Sequence, residues 1–166
     1  VNVAIHDANI LIDIVKLDLA DTLFSLDLSM RTTDAVWAEL SGDQKSLLQP
    51  FVDGNLLAID SFTAEEVGQI VSYSQKHRAL SFEDCTLIVA GRRHNALVIT
   101  GDRKLRTVIE AEQLEVHSIL WLFDRMLDES VITKSLAADK LRGLRAMNRR
   151  LPADELETRI EQWEFK

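Results

Sequence analysis

Only one cysteine, Cys85, occurs in the 166 residues, together with two prolines and six glycines. A lone thiol cannot form an intrachain disulfide, so the fold must rest on a packed core, and such cysteine usage suits a reducing, cytoplasmic compartment. Cys85 itself reads as a small apolar residue packed on its helix. With so few prolines and no low-complexity stretch, there is no linker at which to divide the chain. One domain is expected over residues 1–166, a length that supplies a full core without staples. Long apolar runs are missing too: Ile10-Leu11-Ile12 is soon broken by Asp13 and Lys16. Neither a signal peptide nor a membrane span is expected. Positive charge is the scarcer sign, with 19 Lys and Arg against 27 Asp and Glu and a formal net charge of −8. That balance argues against a broad phosphate-binding surface, which needs Lys and Arg. It still leaves room for local basic groups if part of the acidic excess serves to hold a divalent cation.

What the chain does have is alternation of strand and helix. Val3 to Asp7, Ser29 to Thr32, Leu56 to Ile59 and Ala96 to Ile99 read as strands, and Glu115 to His117 as a short edge strand. Helical patterns cover Asn9 to Leu19, Leu19 to Leu26, Thr33 to about Leu40, and Gln44 to Val52 after a break at Ser41-Gly42-Asp43. Further helices are expected from Thr63, where Thr63-Ala64-Glu65-Glu66 has the form of a capping box, to about His77, then over Ser81 to His94 and Arg103 to Glu112. From Ser118 onward the chain reads as wholly helical, with Pro152 opening the last helix. This alternation predicts a three-layer α/β/α architecture in which a central parallel sheet of four or five strands is wrapped on both faces. The core is expected over about residues 1–117, with a helical C-terminal extension over about 118–166.

Four carboxylates fall where such a fold gathers its functional groups. Asp7 closes the first strand, and Asp102 follows Ala96-Leu97-Val98-Ile99-Thr100-Gly101, so both lie just past a strand's C-terminal end. That end is where open parallel sheets place ligands. Glu39 and Asp84 lie on helices that can project over the same edge. Like charges brought together repel, and a cluster persists best when a cation neutralises it. Each acid also has a plainer reading: Asp7, Asp84 and Asp102 stand where helix caps do, and Glu39 could be a solvated helix residue.

Taken in order, these segments resemble the PIN-domain nucleases. Asp7-Ala8-Asn9-Ile10-Leu11-Ile12-Asp13 is similar to that family's opening Asp-x-Asn/Ser/Thr motif, and Thr33-Asp34-Ala35-Val36-Trp37-Ala38-Glu39-Leu40 to its Thr-x-x-Val-x-x-Glu-Leu helix. Leu80-Ser81-Phe82-Glu83-Asp84-Cys85 matches the third acidic position, and Leu97-Val98-Ile99-Thr100-Gly101-Asp102-Arg103-Lys104-Leu105 the final strand and Thr-x-Asp motif. The resemblance covers roughly residues 1–117, and the remainder looks like the helical tail of a bacterial subgroup. The chain departs from the pattern after its fourth carboxylate, where Arg103, Lys104 and Leu105 replace a further acidic or polar residue, which leaves a second metal site weak or dependent on substrate.

The resemblance implies a metal-dependent ribonuclease. Mg²⁺ or Mn²⁺ would be held by Asp7, Glu39, Asp84 and Asp102, in keeping with the preference of these hard ions for oxygen ligands. Asp7 and Asp102, leaving rigid strands, are expected as direct ligands, with Glu39 and Asp84 completing the shell through water or helping to hold a second ion. Asn9 and Thr100 match polar positions that orient such ligands. The implied substrate is RNA and the implied setting a bacterial toxin–antitoxin pair, which allows for an antitoxin protein and a second copy of the chain as partners. Candidate nucleic-acid contacts are Arg103 and Lys104 beside Asp102, and Arg142, Arg145 and Arg149, which share one helical face while Leu141, Leu144 and Leu151 are spaced for the other. A solvated or partner-binding face is the plainer reading of that helix. His6, His77, His94 and His117 are too scattered for a metal motif, and Trp37, Trp121 and Trp163 read as core or interface anchors. Two alternatives remain: a PIN-like scaffold that binds nucleic acid or protein without cleaving, and a receiver-like phosphoacceptor domain. The latter lacks its adjacent acidic pair after the first strand and its strand-ending lysine.

Overall fold

In the computed structural model, which describes residues 2–148 and 150–164, five strands form one parallel sheet: β1 (Asn2–His6), β2 (Leu28–Thr33), β3 (Leu57–Asp60), β4 (Leu97–Ile99) and β5 (Val116–His117). From edge to edge their order is β3-β2-β1-β4-β5. The chain therefore moves outward from β1 through β2 to β3, then jumps back to the far side of β1. Because parallel crossovers are right-handed, that reversal moves the connecting helices to the other face of the sheet. It also opens a crevice between the C-terminal ends of β1 and β4. The pairing of Ala4 with Leu97, Ile5 with Val98 and His6 with Ile99 brings the two strand ends level, and the Asp7 N–H extends the ladder by donating to the Ile99 carbonyl at 3.0 Å.

Seven helices connect or follow the strands before the extension: α1 (Ala8–Lys16), α2 (Ala20–Phe24), α3 (Asp34–Glu39), α4 (Gly42–Asp53), α5 (Ala64–Lys76), α6 (Phe82–His94) and α7 (Arg103–Ala111). The sequence placed a break at Ser41-Gly42-Asp43, whereas α4 already begins at Gly42. Ser41 is its N-cap, accepting from the Gln44 N–H while the Gln44 side chain accepts from the Ser41 N–H, and this reciprocal capping outweighs the low helix propensity of one glycine. α6 is the central helix. Cys85 to Gly91 are all buried, so it is apolar on nearly every side, as a helix covered by its neighbours must be. Burial pushes the Cys85 thiol up to about 11, which makes it an inert core residue. Asn95 ends α6 in the left-handed region at φ 46°, which asparagine tolerates better than most residues.

The basic end of α6 is already engaged. Arg92 bonds Glu112 and Tyr73, and Arg93 bonds Glu66 and the Ser61 carbonyl. The Asp60 carboxylate, 2% exposed, takes two nitrogens of Arg31 and one of His94.

Beyond β5 follow α8 (Ile119–Asp128), α9 (Lys134–Met147) and α10 (Ala153–Glu164). Their apolar faces join the same buried cluster as the sheet, through Phe123, Leu141, Leu144, Leu156 and Ile160. Phe123 stacks near Trp163, Arg159 grips Asp124 with two nitrogens, and the Asp27 N–H donates to Glu129 at 2.7 Å. Among the described residues no helix is long and apolar enough to cross a membrane.

Candidate functional site

Asp7 is the residue on which β1 hands over to α1. Its extended backbone makes it the helix N-cap, with Oδ1 accepting from the Ala8 N–H at 2.7 Å. Oδ2 accepts from the Thr100 hydroxyl, also at 2.7 Å. Burial pushes the Asp7 carboxyl above the usual carboxylate range; the bonds from Thr100 and Ala8 work against that shift, and the charges of Asp84 and Asp102 add to it. Thr100 is fully buried, and its Oγ1 also accepts from the Asp102 N–H at 3.2 Å. Asp102 in turn caps α7, with Oδ1 accepting from the Leu105 N–H at 3.0 Å.

The other two acids approach on helices. Asp84 closes the capping box of α6, where its Oδ2 accepts from the Ser81 N–H at 2.9 Å and its own N–H donates to Ser81 Oγ at 3.0 Å. Burial raises the Asp84 carboxyl, opposed by the Ser81 bonds and reinforced by Asp102 and Glu83. Glu39 is the last residue of α3 and is exposed. Its carboxyl is raised first by partial burial and then by Glu83, Asp7 and Asp84. α3 is set against α6 by two buried hydroxyls, Thr33 Oγ1 and Thr86 Oγ1, which are 2.8 Å apart; the first of these also caps α3.

All four acids thus share one electrostatic neighbourhood at the crevice between β1 and β4. The capping reading holds as well, for Asp7, Asp84 and Asp102 each spend an oxygen on a helix start. Among the described residues, Asp84 Oδ1 and Asp102 Oδ2 have no hydrogen-bond partner from the protein. Also among the described residues, no three His, Cys, Asp or Glu side chains stand close enough to cage a metal ion. The donor chemistry fits a hard divalent cation, since every ligand on offer is an anionic oxygen. Binding one calls for rotamer adjustment at the exposed Glu39 and Asp102, or for water between ligand and ion.

Glu83 escaped the sequence reading. It precedes Asp84 in the first turn of α6, and neighbouring helical residues point about 100° apart, so only one of the two was assigned to the site. Its field nevertheless acts on both Glu39 and Asp84. Asn9 is exposed in the first turn of α1, and Arg103 and Lys104 are exposed in the first turn of α7, beside Asp102. The basic face of α9 is paired instead: Arg142 bonds Asp139 at 2.6 Å and reaches Glu164, and Arg145 reaches Glu157. Arg149 lies outside the described residues.

A surface cleft of about 500 Å³ sits beside Asn2, Asn95 and Gln113 and contains none of the four acids. It marks the N-terminal ends of the strands, opposite the carboxylate edge. The acidic edge itself is open, with one small cavity of about 50 Å³ beside Asn9, Asp13 and Asp102. Open ground suits a polymer better than an enclosed small molecule.

No curated protein matches the chain significantly. Among solved structures 16 chains match. One belongs to the crystal structure of FitAcB from Neisseria gonorrhoeae, 20% identical, with the alignment covering 68% of this chain and 95% of that one at a TM-score of 0.42. A family model described as a PIN domain, DUF3368, matches residues 3–164, the helical extension included. Spanning nearly the whole sequence, that match shows that the chain belongs to the PIN domain family.

Proposed function

We propose that this PIN domain is a divalent-metal-dependent ribonuclease that hydrolyses RNA phosphodiester bonds at Asp7, Glu39, Asp84 and Asp102, and that it acts as the toxin of a toxin–antitoxin pair. The observation that carries the reading is the crowding of these acids at the crevice, where burial chiefly raises the Asp7 carboxyl and the charges of Asp84 and Asp102 strain it further. Bound Mg²⁺ or Mn²⁺ would relieve that strain and supply charge stabilisation at the scissile phosphate together with an acidified water. Thr100 and the Ala8 N–H hold the Asp7 carboxylate in one rotamer, so its oxygens stay aimed without a conformational search. Asp102, on the rim, and Asp84, on the facing helix, complete the donor set. Glu39, exposed and raised, accepts the proton of the attacking water. Arg103 and Lys104 are placed to meet a phosphate of the strand beside Asp102.

The toxin role, the antitoxin partner, a homodimer and a cytoplasmic location extend the proposal through the resemblance to PIN nucleases. The decisive experiment incubates labelled single-stranded RNA with the wild type and Asp7→Asn, with Mg²⁺, with Mn²⁺ and with chelator. Cleavage that needs the ion and the intact Asp7 supports the reading. RNA binding without cleavage under any ion turns the chain into a silent PIN-like scaffold. Growth arrest on induced expression in bacteria, absent for Asp7→Asn, tests the toxin role separately.

A further inference from the structure

One wall of the small cavity beside Asp102 does not come from the α/β core. Asn9, Asp13 and Asp102 line one side, and Asn148, Arg150 and Leu151, from the turn between α9 and α10, line the other. At about 50 Å³ it has room for one or two water molecules, not for a base, so it is a notch at the edge of the acidic crevice.

Asn148 fastens that turn. Its N–H donates to the Leu144 carbonyl at 2.8 Å, closing α9. Its Nδ2 donates to Asp13 Oδ2 at 3.2 Å, and its Oδ1 accepts from the Arg150 N–H at 3.1 Å. A single amide therefore bridges α1 to the backbone of Arg150. Asp13 is 8% exposed, and among the described residues Asn148 is its only side-chain hydrogen-bond partner. A buried carboxylate with one donor gives the junction a firm geometric demand, because losing the donor leaves the charge uncompensated.

Arg150 differs from the other described arginines of the extension. Arg142, Arg145 and Arg159 are each paired with an acid of a neighbouring helix, whereas Arg150 is exposed and, among the described residues, makes no ion pair. It borders a notch holding Asp13 and Asp102 yet is within ion-pair distance of neither. A guanidinium at the rim of an acidic crevice with no carboxylate partner among the described residues is set for an anion that arrives from outside.

We propose that the turn after α9 belongs to the substrate site: Arg150 contacts a backbone phosphate of the RNA strand passing Asp102, and Asn148 is the positioning residue that holds Arg150 there. The inference rests on the ribonuclease reading and deepens it, since the extension becomes part of the RNA-binding surface. The phosphate belongs to the flank of the strand, not to the scissile bond, so Arg150 serves binding and leaves the chemical step to the carboxylates.

The test measures equilibrium binding of a short labelled single-stranded RNA across a salt series, alongside steady-state cleavage. Arg150→Gln should raise Kd and KM about tenfold, leave kcat within about twofold, and lower the salt slope by about 0.7, the value for one phosphate contact on a single strand. Lys134→Gln, at the opposite end of α9 and roughly 20 Å away by helix length, should change none of these. Asn148→Asp sets two carboxylates face to face and should raise KM. Adding Asp13→Asn restores a carboxylate–amide pair with its polarity reversed, and KM should return toward the wild-type value. An Arg150→Gln variant with unchanged Kd and salt slope overturns the proposal. So does an Asn148→Asp/Asp13→Asn pair that melts like the wild type without recovering KM. If wild-type protein binds but never cleaves, while Arg150→Gln still loses affinity, the ribonuclease reading falls and the phosphate contact stands.

Discussion

The Thr100 hydroxyl donates to Asp7 Oδ2 at 2.7 Å and, through the same oxygen, accepts the Asp102 N–H at 3.2 Å. One buried side chain thus sets the spacing of two carboxylate-bearing loops. Thr100→Val is close in size but lacks the hydroxyl, and so removes both bonds. We expect a loss of about 1 to 2 kcal/mol in stability, from the orphaned Asp102 amide and the lost bond to an ionised partner. Metal affinity should fall about 10- to 100-fold, as it does when the groups that orient ligands are removed. Isothermal titration with Mn²⁺ beside urea unfolding separates the two effects; unaltered Mn²⁺ affinity would show that Thr100 serves the fold alone.

Metal binding should stabilise the native state, by about 2.7 kcal/mol at an ion concentration 100 times Kd. Asp7→Asn and Asp102→Asn should each blunt that gain and reduce cleavage by at least about 100-fold. The readout is the Tm with and without saturating Mg²⁺ or Mn²⁺. Equal shifts in wild type and both variants would remove these residues from the ligand set.

Without metal the pH dependence of Asp7→Asn carries a definite sign. Asp7 has a raised folded-state value, so ionising it costs native stability at pH values above that value and costs nothing near and below the ordinary 3.8. The metal-free variant should therefore be more stable than wild type near neutral pH, with the advantage shrinking as pH falls. Urea midpoints in chelator at several pH values check this. A constant difference across the range would mean that loss of a cap, not relief of repulsion, governs the variant.

His6 acts in the opposite direction. It is fully buried, its Nδ1 lies 3.2 Å from the Arg31 carbonyl, and its Nε2 has no partner among the described residues. Burial lowers its pKa from 6.5 to about 4, so it stays neutral in the native state while the unfolded chain takes up a proton. Stability should fall as pH drops from about 6.5 to 4, by about 3 kcal/mol in total from this group. His6→Gln cannot titrate and should lack that component, which wild-type and variant denaturation curves at pH 7 and pH 5 will show.

The two candidate basic groups, one on α7 and one on α9, should behave differently toward RNA. Arg103 and Lys104 are exposed beside Asp102, and converting both to Gln should reduce the salt slope of binding by about 1.4, two single-strand phosphate contacts. Arg142 and Arg145 are already opposed by Glu164 and Glu157, so the same change there should move the slope far less and cost only about 0 to 1 kcal/mol per exposed pair. A larger effect from the α9 pair would mean that RNA displaces α10's acids from their arginines.

The strands, most helices and the four acids were legible because each is written locally. Apolar runs of strand length, Ser and Thr at helix starts, and carboxylates directly after strands need only a few consecutive residues to be seen. Ser41 shows the limit even of local reading, for Gly42 looked like a break until the reciprocal bonds with Gln44 made it a helix start.

The amino-acid sequence by itself determined that this is an α/β chain with acids at strand ends, because hydrophobic period and capping chemistry are properties of neighbouring residues. Only the tertiary structure decided which strands stand side by side. The placement of β4 against β1 brings Asp102 to Asp7 across 95 residues and lets one threonine serve both. It also decided that Glu83 belongs to the acidic field, that Arg142 and Arg145 are neutralised by α10, and that Asn148 of the extension reaches Asp13 of the first helix. Those relationships depend on long-range packing and on which charge finds a partner, and neither has a signature in the spacing of residues along the chain.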